Sequence, residues 1–536
     1  MAQGMVVAAQ PEAVEAGAEV LAKGGNAVDA AVATALVQTA VDPQMCGIAG
    51  FGCMHVYDPA SGRHLCLDFY GRAPLAATPD MWADKLVAEA DDGFGFILSN
   101  RANELGYGAI ATPQTLRAFD TALRQFGTRS LGDLMEPAIR YATDGFMVRP
   151  HVVAFWGQVP TEGRAPHADF LTTLPATRKI YTKADGKTFA VGEILKNPDL
   201  GRTLARTAKT GADDFYAGEI GASITDDMRA HDGLITAKDL AACKAEISEP
   251  LWGSYRGFRI ATNPPPGGGT KLIEMLNILE HFDLAGMGHN SADYIATIAE
   301  AMKIGAVDRD KFHGDPKFIN VPVAKLTSKD YAAELALRIK RGEKTHVPRL
   351  TSKEAADTTQ VCTIDKSGMC VSLTHTLGTP SGVVTEGLGF MYNGAMGAFD
   401  PRPGRPGSIA PGKARVSSMA PTIVFKGEKP FFIVGAPGGT YITPGILQAI
   451  LNVVDFGMTA LEAISAPRVC ATNDTIAITN RILRSTEAEL VRRGYPVKRS
   501  PFNYYYAGLH GIRIVDGRPD GAADPGRDGM ALAVTG

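Results

Sequence analysis

One stretch does most to restrict how this chain can fold: D-T-T-Q-V-C-T-I-D-K-S-G-M-C-V-S-L-T-H-T, residues 357–376. Two strand-like runs flank Lys366-Ser367-Gly368, which is the chemistry of a hairpin turn. A polar run, residues 350–356, leads into it. By itself the stretch reads as an ordinary β-hairpin after a surface loop. A second strand–turn–strand signal follows at 419–434, across Lys426-Gly427-Glu428-Lys429, and another lies near the N-terminus at 53–69. Hairpins in both halves, each with helical runs beside them, suggest a layered α/β/β/α arrangement.

The helical runs are read from period and caps. Residues 11–22 and 26–41 form two helices broken by Gly24-Gly25, with Asn26 as N-cap. The alanines of V-D-A-A-V-A-T-A-L imply close packing of the second helix against a sheet. Residues 80–245 are mainly helical in pattern, at 113–126, 131–143, 198–210, 221–231 and 237–242. Strand returns from Glu249, then P-P-P-G-G-G makes a turn at 264–269, and helices follow at 270–282 and 291–307. The polar region 327–359 is the one long linker-like stretch. After the glycine- and proline-rich loop 386–406, a helix is expected near Thr443 with Pro444 at its first position.

Composition excludes several classes of function. The 536 residues suffice for two to four domains or one large layered one. A net charge of −3 gives no sign of a nucleic-acid partner. The seven cysteines are scattered without a C-x-x-C pair, so they read as reduced buried thiols rather than a disulfide framework or a zinc site. No run of about 18 apolar residues suggests a membrane span. The N-terminus lacks a signal-peptide pattern, so a cytoplasmic location is expected. Glycines 47–52 do not match G-x-G-x-x-G. Gly186-Lys187-Thr188 fails as a phosphate loop because the first glycine of that motif would fall on Tyr181. No cofactor and no metal are expected.

Taken in order, distant segments resemble the γ-glutamyltranspeptidase family of N-terminal-nucleophile hydrolases. They are G-G-N-A-V-D-A-A-V-A (24–33), E-P-A-I-R-Y-A-T-D-G-F (136–146), K-N-P-D-L (196–200), F-Y-A-G-E-I (215–220), G-L-I-T-A-K-D-L (233–240), Y-R-G-F-R (255–259), T-T (358–359), S-S-M-A-P-T (417–422), P-G-G (437–439) and A-P-R (466–468). The resemblance implies an α/β fold of four stacked layers, an αββα sandwich. It also implies a precursor that cuts itself between Asp357 and Thr358. The products would be a large subunit, 1–357, and a small catalytic subunit, 358–536, which remain associated and build one fold together. A dimer of such heterodimers is possible.

The implied chemistry suits these residue types. A threonine hydroxyl attacks its own preceding carbonyl, and hydrolysis of the resulting ester frees an α-amine with a reference pKa of roughly 7.7–8. That amine sits beside the hydroxyl and serves as its general base, so no histidine is required. Thr358 is then the nucleophile, and Thr376 matches the threonine that hydrogen-bonds it. The N–H groups of Gly438 and Gly439 match the oxyanion hole.

The substrate-recognising half departs from the pattern. Where the family has an arginine for the glutamyl carboxylate, the segment D-F-Y-G-R-A-P places Tyr70. Arg72, two residues on, would point to the same side if the strand continued, and is the candidate replacement. The segment that should hold the α-amine reads N-G-A-M-G-A-F, with Ala398 where an acidic residue is expected. An asparagine of the family is Gly378 here. Ser417 and Ser418 are retained. The expected substrate is therefore a small-molecule amide whose acyl part carries a carboxylate but no α-amine, as in oxamate or glutaryl amides. A genuine γ-glutamyl hydrolase or transferase acting on glutathione, and an unprocessed non-enzymatic descendant, are the alternatives.

Overall fold

A computed structural model describes residues 2–89, 95–158, 164–348 and 358–535. Two antiparallel sheets form its centre. The seven-stranded sheet runs, in spatial order, Gly529–Thr535, Ala2–Ala9, Thr359–Asp365, Cys370–Thr376, Phe51–Asp58, Arg63–Phe69 and Glu246–Ser248. The six-stranded sheet runs Arg518–Ala523, His510–Val515, Lys429–Gly435, Thr422–Lys426, Phe258–Thr262 and Leu251–Tyr255. Met5, Cys362, Ile364, Ile423, Ile433 and Ile512 fill the space between them. On the outer face of the first sheet lie helices Pro11–Ala22 and Ala27–Val41. Helices Gly269–Leu279, Ala292–Phe312 and Ile442–Val454 cover the second. The stacked helix–sheet–sheet–helix layering expected from the sequence is present.

Helix Ala27–Val41 is buried along its whole length, which its alanine content permits. Its N-terminus carries a capping box between Asn26 and Asp29. Asp29 also accepts from the N–H groups of Thr128 and Arg129, so the cap ties a second loop to the helix. The hairpin turn is held by Asp365, which accepts from Ser367 N and from Ala27 N.

Two expectations fail. The region 327–359 is not a linker throughout: it contains helix Lys329–Lys340, capped by Ser328 and seated on Ala332, Leu335 and Ala336. The polar run 350–356 lies outside the described residues. The helix expected near Thr443 begins at Ile442 rather than with Pro444 at its first position, because the chain first makes a 3-10 turn over Gly439–Tyr441. All seven cysteines are buried and free. Among the described residues no helix is long and apolar enough to cross a membrane.

Candidate active site

The hairpin places Thr358 and Thr376 side by side. Along strand Thr359–Asp365, Val361 packs toward the helices while Cys362 and Ile364 pack toward the second sheet. A period of two puts Thr358 and Gln360 on that same inner face. Gln360 pairs with Thr374 and Cys362 with Ser372 across the ladder, so Thr376 falls opposite Thr358. Thr358 Oγ1 donates to Thr376 Oγ1 at 3.1 Å, and Gly378 N donates to Thr376 Oγ1 at 2.7 Å. Both threonines are buried, at 4% and 1% exposure.

A polar line continues inward from this pair. Thr374 Oγ1 donates to Gln360 Oε1 at 2.5 Å, Gln360 Nε2 to Ser372 Oγ at 3.0 Å, and Ser372 Oγ to Val434 O at 3.1 Å. Gly435 makes room for it, since a Cβ there would stand 2.3 Å from the Gln360 side chain. Sequence reasoning passed over this line. Its signal was present: polar residues alternating on a strand face that should be apolar.

His375, adjacent to Thr376, points the other way. Its Nε2 lies 2.9 Å from Gln38 Oε1 under helix Ala27–Val41, and burial pushes its pKa down to about 3. It is a neutral packing residue on the wrong face to serve Thr358.

The turn after strand Lys429–Gly435 supplies the glycines. Gly438 has φ 138° and Gly439 φ 55°, conformations a side chain resists. A Cβ on Gly438 would stand 2.8 Å from Ala507 Cα. Gly439 lines the cavity that contains Thr358 and Thr376, as does Ile442 at the start of the 13-residue helix Ile442–Val454. A helix N-terminus there favours negative charge developing near the threonine.

The remaining wall of this inner cavity is cationic. It contains Arg309, Arg415, Ser417, Ser418 and Gly378, with Phe51, Val416 and Met419. Among the described residues no carboxylate lines it. Arg309, Arg415 and Val416 also border a wider outer cavity, together with Ala398, Asp400 and Arg402. Arg415 is buried, with its guanidinium carbon 5.1 Å from the Phe51 ring centroid. Burial and the neighbouring Arg309 push its pKa down. Neither arginine was picked out from the sequence. One sits on the long helix Ala292–Phe312 and the other in a loop, and no motif links them.

The other expected residues fall as follows. Tyr70 is buried, with its hydroxyl against the Asn263 side chain, and does not line the inner cavity. Arg72 does not line it either, which corrects its expected role as the replacement arginine. The strand ends at Phe69, so the alternation that would have aimed Arg72 inward does not extend to it. Its guanidinium instead meets Asp315 at 3.4 Å and Glu246 at 3.3 Å. Ala398 lies at the outer cavity, one step removed from the threonines. Asp357 lies outside the described residues.

A family model described as gamma-glutamyltranspeptidase matches residues 13–534. The chain belongs to this family. It is an amide hydrolase of the N-terminal-nucleophile type. "Acylase ACY 1 proenzyme" of Pseudomonas sp. (strain SE83) is 37% identical over 542 residues, covering 100% of this chain and 94% of the relative. "Glutathione hydrolase proenzyme" of Escherichia coli (strain K12) is 35% identical over 484 residues, covering 87% and 80%. Among solved structures, the cephalosporin acylase from Bacillus halodurans superposes with a TM-score of 0.88 at 27% identity, covering 100% of this chain and 96% of that one.

Proposed function

We propose that the chain cuts itself before Thr358, and that the processed enzyme hydrolyses amides whose acyl part carries a carboxylate and no α-amine, such as glutaryl or oxamate-type amides. The carrying observation is the inner cavity: Thr358 and Thr376 share it with two guanidiniums and two serines and with no described carboxylate. Such a wall attracts an anion and repels the ammonium of a γ-glutamyl group. The name of the acylase relative supports the coarser part of this reading, an acylase proenzyme.

In this reading Thr358 Oγ1 attacks the carbonyl carbon of residue 357 and the acyl group moves from nitrogen to oxygen. Water then hydrolyses the ester, leaving the Thr358 amine free. In turnover that amine takes the hydroxyl proton as Oγ1 attacks the substrate amide, then delivers it to the departing amine. Thr376 Oγ1 holds the nucleophile, and Gly438 and Gly439 receive the oxyanion. Water resolves the acyl-enzyme and the acid leaves. The two subunits stay together because each sheet takes strands from both sides of residue 357. Thr359–Asp365, for example, pairs with Ala2–Ala9.

The test compares glutaryl-p-nitroanilide with γ-glutamyl-p-nitroanilide. The two compounds share the terminal carboxylate and differ only in the α-ammonium. The missing charged hydrogen bond to that ammonium, at roughly 1.5–3 kcal/mol, predicts a kcat/KM for the glutaryl compound higher by about 10–10²-fold. Equal or better turnover of the γ-glutamyl compound overturns the reading.

A further inference from the structure

We propose that Arg415 is the residue that receives the acyl carboxylate, and that the missing side chain at Gly378 is what admits it to the cavity. The assignment rests on the carboxylate-bearing substrate class proposed above.

The backbone explains how Arg415 arrives there. Arg415 N donates to Gly71 O at 3.1 Å and Ala73 N to Lys413 O at 2.9 Å. Ala414 N donates to Asp315 Oδ2 at 2.8 Å. Residues 413–415 are thus pinned alongside 71–73, next to the position that Tyr70 occupies. A guanidinium that strand Arg63–Phe69 does not supply reaches the region from the neighbouring segment instead.

The side chain is then oriented on three sides. Phe51 lies under its guanidinium, and its Nε donates to Val416 O at 3.3 Å. Its Nη1 comes within 3.3 Å of where a Cβ on residue 378 would stand. Gly378 has φ 68°, so a larger residue there would be strained as well as crowded. An asparagine at 378 and the observed Arg415 would compete for one place.

Arg415 borders both the inner and the outer cavity, so a substrate passing inward meets it. Burial and Arg309 act against its charge, and a carboxylate placed beside the guanidinium acts in the opposite direction. A planar fork also binds carboxylate in two-point fashion, which a lysine does not reproduce.

The experiment uses the full-length processed enzyme with glutaryl- and valeryl-p-nitroanilide, two acyl groups of one length that differ in the terminal carboxylate. Wild type is expected to favour the glutaryl compound strongly. Arg415→Gln should collapse that ratio by about 10²-fold, chiefly through KM for the glutaryl compound. Gly378→Asn should lower the ratio in the same direction, and Arg415→Lys should keep only part of it. Self-cleavage on a denaturing gel reports folding. If Arg415→Gln stays uncut, Arg415→Lys carries the test, with KM for the glutaryl compound up about tenfold as the refereeing result. A processed variant, Arg415→Gln or in its place Arg415→Lys, that keeps the wild-type ratio overturns this assignment and leaves the substrate class standing. A wild-type ratio near one removes the substrate class and the assignment with it.

Discussion

Replacing Thr376 by valine removes one oxygen from the centre of the site and little else. Thr376 is buried in a strand paired on both sides, where a β-branched apolar residue fits. Among the described residues, the hydroxyl accepts from Thr358 Oγ1 at 3.1 Å and from Gly378 N at 2.7 Å. Losing the first takes from the nucleophile a bond of about 0.5–1.5 kcal/mol, and losing the second strands a buried N–H at about 1–3 kcal/mol. The first term alone slows reaction by up to about tenfold. The second also acts on geometry, because Gly378 borders the cavity and a shift of about 1 Å in the reacting group costs on the order of 10²-fold. Self-cleavage and anilide turnover should therefore both fall by about 10–10³-fold. The assay is a denaturing-gel time course of the freshly purified protein, followed by p-nitroaniline release. Thr376→Ser keeps the oxygen and should remain within about tenfold of wild type. A Thr376→Val protein that cleaves and turns over at wild-type rates refutes the role given to this residue.

Gly438→Ala places a Cβ 2.8 Å from Ala507 Cα at a φ of 138°. Strain and overpacking together should cost about 2–5 kcal/mol in urea unfolding, and turnover should drop with the displaced N–H groups. Activity should also rise with pH through an acid limb. In the proposed mechanism the free Thr358 amine is the active form, so activity should be lost as pH falls and the amine takes up a proton. Arg309 and Arg415 on the same cavity disfavour its protonation, so the limb in kcat/KM should lie below the reference value of roughly 7.7–8, and a limb above that range counts against the amine as base.

What was legible in the sequence divides along the range of the interactions. Helix starts were readable where a cap marks them: Asn26 with Asp29, Asn197 at the K-N-P-D-L segment, and Thr236 with Asp239 in G-L-I-T-A-K-D-L. Several segments that carried the resemblance prove to be such caps. Asp239 in addition accepts from Leu75 N at 2.7 Å, and Asn197 Nδ2 donates to Gly389 O at 2.8 Å, so each cap also fixes a distant loop. The A-P-R segment is structural too, with Arg468 buried against Asp524 and donating to Ile464 O at 2.7 Å. The hairpin was local and legible; the contact between Thr358 and Thr376 was expected only from the family resemblance, not from the hairpin itself. The helix Lys329–Lys340 was missed because its polar composition hid a narrow buried stripe. The cationic wall was missed for a different reason. Arg309 and Arg415 lie on different elements, and only the pairing of 413–415 with 71–73 brings the second one to the site. That pairing also decides against Arg72, whose aim depended on a strand that stops three residues earlier.

The proposed chemistry requires Thr358 to become a new N-terminus. Intact mass and N-terminal sequencing of the purified protein test it directly. Two chains are expected, with the smaller beginning T-T-Q-V-C, and a single uncut, inactive chain for Thr358→Ala. An active full-length chain, or a small chain beginning at Thr359, would contradict it.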